Sequence, residues 1–247
     1  MDTAVVVQGV CREFWTHSTR RNLFRYLRRD PREPAGRPRT IEALRDIDFS
    51  VYKGERIALI GNNSAGKTTL LRIIAGLLRP TRGEVQVRGE MILLTSLGVG
   101  LLEDLTVEDN IFLYGAIYGL ERRRTRELLA EIMEWAGVER YVEAKLKTLS
   151  SGMRARLAFS VVRQMETDLF LLDETLATGD VGFRKKCETF FARRNGVERT
   201  IIAATHDMSF VRRNCSRALW LQDGLQMGFG ESGEIVERYL ASTSGSG

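Results

Sequence analysis

Ile57-Ala58-Leu59-Ile60 runs straight into Gly61-Asn62-Asn63-Ser64-Ala65-Gly66-Lys67-Thr68, and Leu70-Leu71-Arg72-Ile73-Ile74 follows at once. An apolar run too short for a helix, a loop of the form G-x-x-x-x-G-K-[ST] and a helical apolar pattern thus stand in order. That order restricts the fold more than any other stretch of the chain. It predicts a buried strand whose loop turns its backbone N–H groups toward phosphate oxygens at a helix start. Gly61 and Gly66 supply torsions and close approach that a side chain would block. Lys67 supplies a mobile positive charge for the outer phosphates, and the Thr68 hydroxyl is a ligand type for Mg²⁺. A nucleoside triphosphate is the expected ligand.

The rest of the chain supports a core around that strand. Its 247 residues are enough for one large domain or a domain with a subdomain, with 43% apolar and 28% charged residues. Leu169-Phe170-Leu171-Leu172 and Thr200-Ile201-Ile202-Ala203-Ala204 are continuous apolar runs, as in strands buried on both faces of a parallel sheet. Helical patterns follow each, so strand and helix alternate as in an α/β fold. Val5-Val6-Val7 reads as a short strand, and Ile47 to Tyr52 alternates like a half-exposed one.

Between Leu105 and Leu149 the pattern changes. Thr106-Val107-Glu108-Asp109 has the form of a capping box and opens a helix through Ile111, Phe112 and Ile117. Glu121 to Trp135 places Leu128, Leu129, Ile132 and Met133 on one helical face. The expected organisation is an α/β core over 1–104 and 168–240, a helical subdomain over 105–167, and a small polar tail over 241–247. A basic insertion over 15–40 interrupts the early strands. In it Arg20 to Arg29 suit a short basic amphipathic helix, with an extended segment around Pro31, Pro34 and Pro38.

No apolar run approaches the ~18–20 residues of a membrane span, and the start lacks the pattern of a signal peptide. Cys11, Cys187 and Cys215 are odd in number and lack metal-type spacing, so reduced thiols in a cytosolic protein are expected. A net charge of +5 suits an acidic partner, whether nucleotide, anionic lipid or nucleic acid.

Further chemistry gathers at strand and helix ends. Leu169 to Glu174 is an apolar strand ending in two acids, Asp173 suited to hold Mg²⁺ and Glu174 suited to act as general base. Leu149-Ser150-Ser151-Gly152-Met153 precedes a helical run, where Ser is also an ordinary N-cap. His206, in Ala204-Thr205-His206-Asp207, follows an apolar strand, where an imidazole can meet a γ-phosphate.

Together, G-N-N-S-A-G-K-T, L-S-S-G-M, L-F-L-L-D-E, A-T-G-D and A-T-H-D resemble the ATP-binding subunit of an ABC transporter, over nearly the whole chain from Val5 to about Leu240. The resemblance implies a P-loop NTPase core of mainly parallel sheet, an N-terminal antiparallel β portion and an inserted helical subdomain. It implies a phosphate loop over Gly61, Asn62, Asn63, Ser64, Ala65, Gly66, Lys67, Thr68 and Thr69, and a signature at Ser150, Ser151 and Gly152. It implies a magnesium aspartate at Asp173, a catalytic Glu174, a loop ending at Asp180, a switch histidine at His206 and an adenine-stacking Phe14. Lys67, Glu174 and His206 carry the catalysis, ATP and Mg²⁺ are the cofactors, and Thr68 and Asp173 are the metal ligands.

S-S-G-M-R-A-R-L-A-F, D-E-T-L-A-T-G-D and the basic insertion resemble the branch that exports O-antigen, capsule or teichoic acid. That branch implies a transmembrane permease subunit as partner, an ATP-dependent homodimer, and peripheral placement on the cytoplasmic face of the cell membrane. An exporter of another cargo such as lipid, or a soluble ATPase acting on nucleic acid or ribosomes, is the alternative. Nucleic acid is disfavoured, because such ATPases usually carry two cassettes per chain or a long coiled-coil insertion, and neither occurs here. One departure stands out: no glutamine lies between Gln86 and Gln164, so the usual glutamine ligand to Mg²⁺ is missing around Leu101, Leu102 and Glu103.

Overall fold

A computed structural model describes residues 2–16, 39–95, 97–173, 181–192 and 199–244. Glu174, the segment from Ala177 to Asp180, most of the basic insertion with its expected helix, and residues 245–247 lie outside the described residues.

The parallel centre forms where the apolar runs stand. Strand β3 (Arg56–Ile60) lies between β7 (Thr200–Ala204) and β8 (Arg217–Gln222), parallel to both. Beyond β7 come β6 (Leu169–Asp173) and then β5 (Met91–Leu94), also parallel. Successive side chains of a strand point to opposite faces, and these strands bury both. Leu169, Leu171, Ile202, Ala204, Ile57 and Leu59 pack on one side with helix α1 (Lys67–Ile74). Phe170, Leu172, Ile201 and Ala203 pack on the other.

The first two strands are much longer than the sequence patterns suggest. Strands β1 (Thr3–Thr16) and β2 (Arg39–Tyr52) pair antiparallel over their whole lengths, and β4 (Arg82–Val87) pairs with the outer edge of β1. Four register shifts within the β1–β2 ladder break the strict two-residue alternation. Bulges of this kind bend and twist the pair while the backbone bonds continue, which hides long strands from a periodicity test. Phe14 therefore lies within a ladder, opposite Ile41, rather than at the end of a short strand.

Strands β8 and β9 (Leu225–Glu231) form an antiparallel hairpin that the apolar runs did not suggest. Its turn is Asp223-Gly224, both at positive φ (49° and 78°), the torsions a tight hairpin turn requires. Strand β2 joins β9 through the Arg45–Leu225 pair, which completes a sheet ordered β4-β1-β2-β9-β8-β3-β7-β6-β5.

The helical stretch comprises α2 (Val107–Ile117), α3 (Arg122–Ala136) and α4 (Ser151–Val162). Thr106 caps α2 as its sequence implies: its Oγ1 accepts from Asp109 N–H at 3.0 Å and lies 2.7 Å from Asp109 Oδ2. Fully buried Asn110 binds back to the preceding loop, with Oδ1 accepting from Leu102 N–H (2.7 Å) and Nδ2 donating to Leu102 and Thr106 carbonyls. These helices share a core with the sheet. Trp135 of α3 lies 5.5 Å from Phe159 of α4, and Phe159 lies 5.6 Å from Phe191 of α5 (Val181–Ala192). Phe191 in turn lies 5.3 Å from Phe170 of β6. Helices α6 (Met208–Asn214) and α7 (Ser232–Ser244) cover Ala58, Ile60, Ala218 and Trp220.

Candidate functional site

The loop leaves β3 through Gly61, at φ 142°, and a Cβ there would lie 2.1 Å from the Leu221 carbonyl oxygen of β8. Gly66, at φ 107°, is as closely confined: a Cβ would lie 2.7 Å from Ala43 O and 2.8 Å from Leu44 Cδ2. Both glycines are therefore required by torsion and by space. Ser64 takes the left-handed region (φ 66°) without being glycine. Within the loop, Ala65 N–H donates to Asn62 O at 3.2 Å.

Gly66 is the N-cap of α1, and no side chain caps the helix. Its N-cap glycine has no side chain to turn back on the first-turn N–H groups, and no acidic residue sits in that turn. This is an anion-binding helix start. Lys67 is 6% exposed, and its Nζ donates to Gly61 O (2.7 Å) and Asn62 O (3.0 Å). An ammonium held by two carbonyls inside a loop that concentrates N–H donors suits a phosphate chain. No cation ligand is needed to form this cradle.

Three adjacent parallel strands end at the same edge as the loop. Asp173 closes β6 opposite Ala204 of β7, and Ala204 stands opposite Leu59 of β3. The chain leaves β7 through Thr205 to His206, whose Nε2 lies 3.3 Å from Lys67 Nζ. Asp207 is occupied structurally, its Oδ1 accepting from Phe210 N–H at 2.9 Å to cap α6. The edge therefore gathers Lys67, Asp173 and His206 around the carboxyl ends of parallel strands, where α/β folds bind ligands. Glu174, next in sequence to Asp173, lies outside the described residues.

The signature residues open helix α4. Ser150 is the N-cap of α4, its Oγ accepting from Met153 N–H at 3.3 Å, so its hydroxyl serves the helix. Ser151 is exposed, and a Cβ on Gly152 would meet nothing within 4 Å. Among the described residues no hydrogen bond joins Ser150, Ser151 or Gly152 to the phosphate loop of the same chain.

Phe14 is half-buried, with the Arg12 guanidinium carbon 4.6 Å from its ring centre. Arg12 pairs with Leu44, the residue that confines Gly66, so β1 and β2 carry Phe14 within a few residues of the loop.

Several residues that organise the site were not singled out by sequence patterns. Arg154, one turn into α4, is paired with Glu103 and donates to the Leu149 (3.0 Å) and Lys147 (3.2 Å) carbonyls. It thereby ties the glutamine-free loop to the signature. Lys147 binds Asp104 at 2.9 Å, and that hydrogen bond holds the Asp104 carboxyl below the usual range. Asn62 Oδ1 accepts from Tyr239 of α7 at 2.9 Å. Only the basic residue in the first turn of α4 gave a sequence signal, and it reads equally as a solvated charge.

Known proteins match most of this chain. The chain is 38% identical over 199 residues to the O-antigen export system ATP-binding protein RfbB of Klebsiella pneumoniae, covering 80% of each. It is 36% identical to the ABC transporter protein AbcA of Aeromonas salmonicida, over 83% of this chain and 67% of that one. It is 34% identical to the teichoic acids export ATP-binding protein TagH of Listeria innocua, over 80% and 58%. Among solved structures, an ATP-binding subunit of an ABC transporter superposes with a TM-score of 0.73 at 22% identity, over 96% of this chain and 93% of that one. A dimeric ATP-binding cassette bound to ADP and Pi gives 0.69 at 20% identity, over 92% and 98%. Residues 44–177 match the family model described as ABC transporter, and the chain belongs to that family.

Proposed function

We propose that this chain is the ATP-hydrolysing subunit of an exporter that moves a surface polysaccharide through a separate transmembrane subunit. The observation that carries this reading is the 38% identity, over four-fifths of both chains, to an O-antigen export ATP-binding protein. The family match over residues 44–177 includes the loop with its two confined glycines, which supports the reading.

In this reading the N–H groups of Gly66 to Thr69 and the Lys67 ammonium hold the β- and γ-phosphates of ATP, with Phe14 against the adenine. Thr68 and Asp173 would hold Mg²⁺, a hard cation suited to their oxygens. When bound, that ion neutralises charge on the phosphates. Glu174 accepts the proton of the attacking water, and His206 orients the γ-phosphate while Lys67 offsets the charge that develops on it. A second copy packs head-to-tail, so that its Ser151, Gly152 and Asp180 close over the nucleotide. The exposure of Ser151 and the open space around Gly152 support that pairing. No helix among the described residues is long and apolar enough to cross a membrane. In the proposed assembly the chain sits against the cytoplasmic membrane face, held by its permease.

The test is genetic and biochemical. A deletion strain should lose one surface glycan, and the wild-type chain should restore it while Glu174→Gln should not. The chain should also co-purify with a membrane protein. An intact glycan in the deletion strain, with ATPase activity stimulated by DNA or ribosomes, would reject the export reading.

A further inference from the structure

We propose that Tyr239, on the C-terminal helix α7, is a positioning residue for the phosphate loop and acts through Asn62. The proposal rests on the nucleotide-binding reading of that loop and extends the site to a residue 177 positions further along the chain.

Asn62 is held at two points. Its main-chain oxygen accepts from Lys67 Nζ at 3.0 Å, and its side-chain oxygen accepts from the Tyr239 hydroxyl at 2.9 Å. The residue is exposed and lies next to Gly61, in a turn closed by Ala65 N–H on Asn62 O. A rotation of this peptide would disturb the Lys67 and Tyr239 bonds together. Tyr239 thus fixes from outside the same peptide that Lys67 fixes from inside.

Tyr239 is well placed for this because its ring cannot drift. It is 9% exposed and meets Trp220 edge-on, with ring centres 5.8 Å apart. Trp220 pairs with Ile60, the last residue before the loop. Ile235 and Val236 anchor α7 on the same core, at 1% and 0% exposure. That core also holds Val211 of α6, the helix that follows His206. Helix α7 therefore registers against both ends of the site, through rigid side chains.

The hydroxyl itself adds little to folding. It borders an open cleft of about 330 Å³, lined by Asn62, Gln222, Tyr239, Ser242 and Thr243 among others. Water can reach the hydroxyl from this cleft, so Tyr239→Phe leaves neither a buried unpaired group nor a packing defect. What it removes is the constraint on Asn62.

The experiment is a double-mutant cycle on the full chain. Affinity for a non-hydrolysable ATP analogue is measured for the wild type, Tyr239→Phe, Asn62→Ala and the double variant, with thermal unfolding of each. Tyr239→Phe should weaken binding about threefold to tenfold, the scale of one hydrogen bond. The double variant should bind no more weakly than Asn62→Ala alone. Wild-type affinity in Tyr239→Phe would overturn the proposal, and so would factors that multiply in the double variant. Asn62→Ala lies on an exposed loop and leaves the buried ring intact. It tests the same bond should Tyr239→Phe lower stability, and wild-type affinity there would equally overturn the proposal. Failure of the wild type to bind the analogue would instead count against the nucleotide reading, and the proposal would fall with it.

Discussion

Gly61→Ala isolates how closely the loop and the sheet are fitted. The new Cβ would lie 2.1 Å from Leu221 O, where real Cβ atoms stay beyond 3.0 Å, so about 0.9 Å must be found (3.0 − 2.1). The obstacle is the backbone of β8, paired to β3 up to Ile60–Trp220, and no side chain can swing aside. The φ of 142° adds a torsional cost of about 1–3 kcal/mol. Overpacking of this kind adds about 1–3 kcal/mol, giving a loss of about 2–6 kcal/mol. Gly76→Ala is the control. Its φ of 71° carries the torsional cost, but a Cβ there meets nothing within 4 Å. The two variants should therefore differ by about 1–3 kcal/mol in urea unfolding. A loop lifted by roughly 1 Å also loses one or two charge-assisted bonds to phosphate, about 1.5–3 kcal/mol each. ATP affinity should fall at least tenfold in Gly61→Ala and stay unchanged in Gly76→Ala. Equal stability of the two variants, with nucleotide binding within twofold of wild type, would refute the close-approach account.

Two further outcomes follow from local geometry. Ser64→Gly should remove left-handed strain of about 1 kcal/mol, partly offset by greater unfolded-chain entropy, and raise Tm by about 1–2 °C; a lower Tm would mean that the Ser64 side chain makes a needed contact. Burial pushes the Cys215 thiol up to about 12, against a smaller opposing pull from Arg56, whereas an unfolded thiol ionises near ~8.5. Its proton is retained on folding, so its contribution is fully present below pH ~8.5 and declines above it by up to about 1.4 kcal/mol per pH unit. The native protein should resist alkylation at Cys215 at pH 9, and modification at the denatured rate would contradict the burial.

Much of the site was legible because its logic is local. The phosphate loop needs a strand, two glycines, a lysine and a helix start in consecutive residues, and every one is a short-range signal. Asp173 and His206 could be placed because each follows a fully buried apolar run, and parallel strands bring such ends to one edge. The hairpin over 217–231 was missed even though Asp223-Gly224 is a strong turn signal, because two glycines thin the β9 pattern and its apolar Leu225 and Met227 are exposed. Long pairings were invisible for a simpler reason. Arg154 with Glu103, and Tyr239 with Asn62, join residues 51 and 177 positions apart, and nothing in either neighbourhood names its partner. Asn110 read as an unremarkable polar residue on α2, yet it is fully buried and organises the loop before its own helix.

The chain of rings from Trp135 through Phe159 and Phe191 to Phe170 has a mechanical meaning. Close-packed aromatic side chains are nearly incompressible, so they transmit displacement rather than absorb it. Phe170 sits three residues before Asp173, on the same five-residue strand. A push delivered to α3 or α4 therefore arrives at the acidic end of β6 as movement of the strand, with the rings acting as a strut. The loop around Glu103 is held by polar bonds instead, through Asn110, Arg154 and Lys147. The helical layer is thus braced on one flank and hinged on the other.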